Sequence, residues 1–111
     1  MELKTRKLGS VVILDLEGAL VVGDAERAVR EKVREQMDAG ARQLAINLAG
    51  VPYMDSSGIG VLVRIFNATQ QNGGACRFFG ATKKVQQLLK MVRLDKVLEL
   101  VDDEAAALAS L

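Results

Sequence analysis

Histidine is absent from this chain of 111 residues. A serine hydrolase triad needs histidine as its general base, and histidine is also the commonest metal ligand and the usual proton carrier near neutral pH. Its absence argues against hydrolytic, metal-dependent and acid–base catalysis. We therefore expect no catalytic residue, no metal site and no cofactor.

Cysteine and proline occur once each, and aromatic residues make up only 4% of the chain. The lone Cys76 excludes an internal disulfide and, in a short strand-like run, is expected to be a small core residue. So few aromatic side chains offer no stacking platform for nucleic acid, and a formal charge of +1 gives no general attraction to polyanions. We expect no nucleic-acid partner.

The N-terminal apolar run, Val11 to Leu14, is too short and too soon followed by Asp15 and Glu17 to be a signal peptide or a spanning helix. We expect a cytoplasmic protein that does not insert into a membrane. Half of the residues are hydrophobic and 26% are charged, which is a globular composition. At this length we expect one domain over residues 1–111.

Strand and helix patterns alternate along the chain and predict an α/β fold. The predicted strands are residues 2–7, 11–17, 43–48, 76–79 and 97–101, the first two forming a hairpin, and helices are predicted at 24–39, at 57–71, after Thr82 and after residue 103. Asp24 and Thr82 are expected to cap their helices. Crossover helices imply a largely parallel sheet, in which functional sites gather at the loops that follow the strands.

The segment from Val51 to Gly60 joins a predicted buried strand to the second helix and is the most informative part of the sequence. Ser56 and Ser57 fall at the helix N-terminus, where unpaired N–H groups and partial positive charge suit a capping side chain or a phosphate. A cap needs only one polar residue. Asp55, two serines and two glycines, the first of them Gly58, concentrate more small and polar groups than that, so capping and partner binding both stay open.

Other functional motifs do not fit this segment. Gly58-Ile59-Gly60 is not completed to a dinucleotide loop because residue 63 is a valine, and the chain has no G-x-x-x-x-G-K-[ST] phosphate cradle. The residues two before Ser56 and Ser57 are not the glycine of a hydrolase elbow. A nucleotide-binding sensor is therefore a weaker hypothesis than protein binding, and an enzyme is weaker still.

The second helix is apolar on nearly every side of its first two turns. An ordinary surface helix has one apolar stripe, so this helix is either buried all round or exposes apolar residues for association. Because full burial is hard to arrange in so small a domain, we expect Val61 or Ile65 to contribute to a protein interface.

In this motif and in two earlier segments the chain resembles the STAS family, and more narrowly its single-domain bacterial anti-sigma-factor antagonists. Leu16-Glu17-Gly18-Ala19-Leu20 is similar to the family's early L-x-G-x-L segment, Ile46-Asn47-Leu48 to its central strand, and Met54 to Gly60 to its signature. The resemblance implies a mixed, mostly parallel sheet with about four helices packed mainly on one side. It also implies partner switching without catalysis.

The resemblance further implies a phosphate switch at Ser56, which directly follows the signature aspartate. In such proteins the anti-sigma factor, a serine kinase, binds the unmodified form and phosphorylates this serine, and a PP2C-type phosphatase resets it. Ser57 and Gly58 match the motif but inherit no acceptor role. The expected partner-binding residues are Asp55, Ser56, Ser57, Gly58, Val61, Ile65, Val21 and Val22.

The chain departs from the family pattern at Val21, where an aspartate is common. Either the partner differs from the usual kinase, or the apolar pair Val21-Val22 makes the contact instead. The alternative function is a STAS subunit of a transporter or signalling assembly, which would bind constitutively through the same surface.

Overall fold

The computed structural model describes residues 1–111, which form one five-stranded sheet and four helices. The strands are β1 (Glu2–Leu8), β2 (Val11–Glu17), β3 (Gln43–Gly50), β4 (Ala75–Phe79) and β5 (Leu100–Val101), and the helices are α1 (Asp24–Asp38), α2 (Ser56–Gln71), α3 (Lys83–Met91) and α4 (Glu104–Ala109). β1 pairs with β2 antiparallel, and β2 to β5 pair in parallel in chain order. The predicted mixed, mostly parallel α/β fold is confirmed.

Strand β2 places apolar side chains on both faces of the sheet. Val12 and Leu14 enter the main core, which is covered by α1, α2 and α3, whereas Val11 and Ile13 enter a second, smaller cluster with Ala107 of α4. A strand that is apolar on both faces needs cover on both sides of the sheet. Three helices therefore lie on one face, and the short α4 lies on the other.

Helix α1 begins without the predicted cap. Gly23 holds the N-cap position, and no side chain accepts a hydrogen bond there. Asp24 is instead the first helical residue and lies 3.4 Å from Arg27, so the expectation that it caps α1 is wrong. Its negative charge still suits the first turn of the helix. Thr82 does cap α3 as predicted, since its hydroxyl accepts the N–H of Val85 at 3.2 Å.

The last strand is shorter than the predicted range 97–101. Only Leu100 and Val101 pair with β4. Glu99 has a φ of 54°, and this left-handed conformation interrupts the extended backbone. Leu98 therefore enters the main core from a turn and not from a strand.

Helix α2 is more deeply buried than its sequence pattern predicts. Val61 and Ile65 are 1% and 3% exposed and belong to the main core. α2 packs against both β4 and α1, so its apolar residues are shared between the sheet and the neighbouring helix. Both side chains are therefore covered within the chain, and their contact with a partner stays a prediction. No helix combines the length and the apolar character that crossing a membrane requires.

Candidate partner-binding site

Asp55 is the residue that caps α2. One of its carboxylate oxygens accepts the backbone N–H of Val22, and the other accepts that of Gly58, both at 3.0 Å. Both hydrogen bonds stabilise the ionised carboxylate, and the one from Val22 has the larger effect. They lower the pKa of Asp55 below its ordinary value. Asp55 thus joins the loop before α1 to the first turn of α2.

Backbone hydrogen bonds reinforce this connection. The N–H of Leu20 donates to the carbonyl of Tyr53 at 2.9 Å, and the N–H of Asp55 donates to the carbonyl of Leu20 at 3.3 Å. Leu20 and Met54 form a parallel bridge, and both side chains are fully buried. The loop 18–23 and the segment 50–55 therefore form one hydrogen-bonded unit at the carboxyl ends of β2 and β3.

Gly58 allows α2 to approach this loop closely. A Cβ at this position would overlap the carbonyl oxygen of Leu20 and lie 3.0 Å from the Cγ atom of the same residue. Gly58 is itself buried, and its predicted part in partner binding stays a prediction. A Cβ on Gly60 would meet nothing within 4 Å. Only the first of the two glycines is thus required by packing within the chain.

The two serines of the motif are not needed for the cap. Ser56 is the first residue of α2 and is exposed, whereas Ser57 is half-buried. Because the carboxylate of Asp55 already accepts a first-turn N–H, neither hydroxyl has to do so. The two roles that the sequence left open are divided between neighbours: Asp55 caps the helix, and Ser56 remains accessible to solvent.

The loop before α1 adds an apolar side chain next to the motif. Val22 is 69% exposed, and its backbone N–H is the one that Asp55 accepts. Val21 is half-buried. The structure therefore brings Val22 together with Asp55 and the start of α2, but it does not bring Val61 or Ile65 to this surface.

Tyr53 lies beside the site and was not singled out from the sequence. It is 45% exposed, and the Nζ atom of Lys84 lies 5.2 Å from the centroid of its ring. This cation–π contact brings the start of α3 to the motif. Its position could have indicated a role in the site, since Tyr53 is the chain's only tyrosine and lies in a strand-to-helix loop just before the serines.

Cys76 does not belong to the site. It is fully buried in the main core, as predicted, and burial raises the pKa of its thiol above the ordinary value. The accessible nucleophile next to the cap is the Ser56 hydroxyl, and the chain has no histidine to take its proton. A hydroxyl without a general base can still receive a phosphate from an enzyme that supplies one.

The fold and the site together define a small α/β domain that presents an accessible serine at a strand-to-helix loop. Comparison with known proteins then identifies the family: the STAS domain profile matches residues 2–107. The chain belongs to the STAS domain family.

Individual relatives agree with this assignment. The chain is 30% identical to the anti-sigma F factor antagonist of Paenibacillus polymyxa, over 85% of this chain and 87% of that protein. A Thermotoga maritima crystal structure matches with a TM-score of 0.90 at 22% identity, covering 97% of this chain and 92% of that one. The Bacillus cell fate determinant SpoIIAA in its phosphorylated form matches with a TM-score of 0.75 at 17% identity, covering 98% and 97%. At such identities the structures establish the fold alone.

Proposed function

We propose that this chain is a cytoplasmic, non-enzymatic anti-sigma factor antagonist. It binds an anti-sigma factor serine kinase while Ser56 is unmodified, releases it when Ser56 is phosphorylated, and is reset by a PP2C-type phosphatase. The observation that carries the proposal is the exposed position of Ser56 at the start of α2, where Asp55 already provides the cap. The name of the Paenibacillus relative supports the choice of partner, and phosphorylated SpoIIAA supports a phosphate switch on this fold.

The surroundings of Ser56 suit both forms of the switch. A phosphate there gains from the unpaired N–H groups and partial positive charge of the helix N-terminus. It also adds about 1.5 to 2 negative charges and three acceptor oxygens. These negative charges lie next to Asp55, whose lowered pKa keeps it ionised at neutral pH. The folded chain can therefore hold the phosphate, while the surface becomes more negative.

A closely docked partner would respond differently from the chain itself. It would meet the bulk of the phosphate and a charge that must lose its water. A loss of about 3 kcal/mol of binding free energy weakens an association more than a hundredfold, which is enough to exchange partners. The neighbouring exposed side chains of Val22 and Tyr53 supply apolar contact area for the unmodified complex.

Phosphorylation and binding with the cognate anti-sigma factor test this proposal. We expect mass spectrometry after incubation with the kinase and ATP to find phosphate on Ser56. Ser56→Ala should bind the kinase without being phosphorylated, and Ser56→Asp should bind poorly. Ser57→Ala is the matched control for the acceptor and should still be phosphorylated on Ser56. Equal binding and equal phosphorylation of all these forms would contradict the proposal.

The second candidate is a STAS subunit of a transporter or signalling assembly that binds through the same surface without a phosphate switch. The presence of Val21 where the family commonly has an aspartate favours it. It predicts that the chain co-purifies with its assembly equally well as the unaltered protein and as Ser56→Asp.

A further inference from the structure

A groove opens between the C-terminal halves of α1 and α2, on the helical side of the sheet. Its volume is about 460 Å³. The buried side chains of Val33, Val61 and Ile65 form its floor, and the half-buried Met37 and Ala68 line its apolar part. The groove therefore ends on the main core, where apolar atoms lie below an open concave surface.

Positive charge surrounds this groove. Arg30 and Arg34 from α1, Arg64 from α2 and Arg42 from the turn before β3 line it, and Asp38 is the only carboxylate among the lining residues. The chain as a whole has fifteen basic and fourteen acidic residues. Four arginines against one aspartate are thus a local concentration of charge that the overall composition does not produce.

Contacts within the chain neutralise only part of this charge. Glu26 lies 3.5 Å from Arg30 and 3.6 Å from Arg64, so one carboxylate serves two guanidinium groups. Arg42 donates to the carbonyl oxygen of Met37, at the end of α1, and to that of Ala41. Arg34 forms no ion pair. The guanidinium groups therefore retain donors for an anionic ligand.

We propose that this groove binds an acidic, amphipathic peptide segment of a protein partner. Carboxylates of the segment pair with the arginines, whose planar donor groups match carboxylate geometry. Its apolar side chains lie against Met37 and Ala68. A concave surface between two helices suits a helix or an extended segment. A flat membrane surface would not reach its floor.

The groove is separate from the Ser56 site. Arg64 follows Ser56 by eight residues along α2, a distance of about 12 Å at the rise of an α-helix. The proposal therefore goes beyond the proposed function and does not depend on it. A partner could occupy the groove while another protein contacts the start of α2.

Fluorescence anisotropy with a labelled helical peptide of leucine, alanine and glutamate tests the proposal. We expect the peptide to bind, and the same peptide with lysine in place of glutamate not to bind. Arg34→Glu together with Arg64→Glu should weaken binding roughly tenfold or more, because repulsion replaces two charge-assisted contacts. Arg27→Glu is the control matched to Arg34→Glu alone: it makes the same charge change on α1 outside the groove, where Arg27 pairs with Asp24, and should leave the affinity unchanged.

Circular dichroism shows whether each variant is folded, and Arg34→Glu alone provides a milder test. Unchanged affinity of a folded Arg34→Glu, Arg64→Glu protein would overturn the proposal, as would equal binding of the lysine peptide. Preferential binding of phosphatidylglycerol vesicles or of a DNA duplex would overturn it in favour of another anionic partner. Ser56→Glu should leave the affinity for the peptide unchanged. The peptide experiment therefore tests the groove, and the kinase experiment tests the Ser56 site, each without depending on the other.

Discussion

The α-carbon of Gly58 lies against the carbonyl oxygen of Leu20, and no side chain would fit between them. This contact sets how closely the start of α2 approaches the loop before α1. The same loop is held by Asp55 through the N–H of Val22. The orientation of Ser56 therefore depends on packing between two segments that are far apart in the chain.

Replacing Gly58 by alanine should destabilise the protein. The added Cβ meets the backbone of Leu20, which cannot move aside as a flexible side chain could, and we expect a loss of about 1 to 3 kcal/mol in the free energy of unfolding. Gly60→Ala is the matched control in the same helix and should stabilise by about 0.5 to 1 kcal/mol, because its Cβ meets open space. Urea unfolding measures both. Equal effects of the two substitutions would contradict the packing argument.

Asp55 should make stability depend on pH in the acid range. Its folded-state pKa is lowered by the N–H groups of Val22 and Gly58, so it contributes stability above its unfolded pKa. That contribution is lost as the pH falls through the folded-state pKa. We expect the stability difference between the unaltered protein and Asp55→Asn to be largest near neutral pH and to shrink in acid. Asp24→Asn, at a helix start that has no side-chain cap, is the control. A difference independent of pH would contradict this prediction.

Val22→Asp should weaken binding of the anti-sigma factor kinase without changing the melting temperature. The side chain is 69% exposed next to the motif, so the substitution places a charge in the proposed contact without disturbing the core. Val97→Asp is the matched control, since Val97 is also exposed, at 53%, but lies after α3. Calorimetric titration with the kinase compares the two. Unchanged affinity for Val22→Asp would show that this loop does not contact the kinase.

Arg6 should be important for the attachment of α4. Its guanidinium lies 2.7 Å from the carboxylate of Asp15 and 2.5 Å from that of Glu104, and thus links β1, β2 and α4. Arg6→Met should lower the free energy of unfolding by about 1 kcal/mol and speed amide exchange in α4.

The pKa of Asp15 provides a second measurement on this variant. It is lowered chiefly by the hydrogen bond from Arg6, so NMR titration should find it higher in Arg6→Met. Lys7→Met, on the same strand but opposite Val12, should change neither the exchange rate nor this pKa substantially. An unchanged Asp15 pKa in Arg6→Met would contradict the assigned cause.

Features with local signals were predictable from the sequence. The turn at Gly9 and Ser10 separates the two strands of the hairpin, and Asn72 with the following glycines ends α2. Thr82 is predicted to cap α3 from the sequence, and it does so in the structure. In each case the signal and the element that it bounds lie within a few residues of each other, so no knowledge of the tertiary structure was needed.

Features that depend on distant neighbours were not predictable in the same way. The apolar residues of α2 fit either a buried helix or an exposed interface, and only the packing of α1 against α2 shows that Val61 and Ile65 are covered. Likewise Gly58 has a buried role because of the Leu20 carbonyl. Asp55 and Asp24 both precede apolar helical patterns. Only the carboxylate of Asp55 accepts an N–H of its helix, so Asp55 is a cap and Asp24 is not.

The spatial order of the sheet, β1-β2-β3-β4-β5, repeats the order of the strands along the chain. Each strand after the first therefore pairs with one that left the ribosome before it. No strand has to be threaded between two that are already joined, so the sheet can lengthen at one edge during translation. The edge that awaits a neighbour is always the most recently synthesised one, and pairing mistakes between nascent segments are limited accordingly.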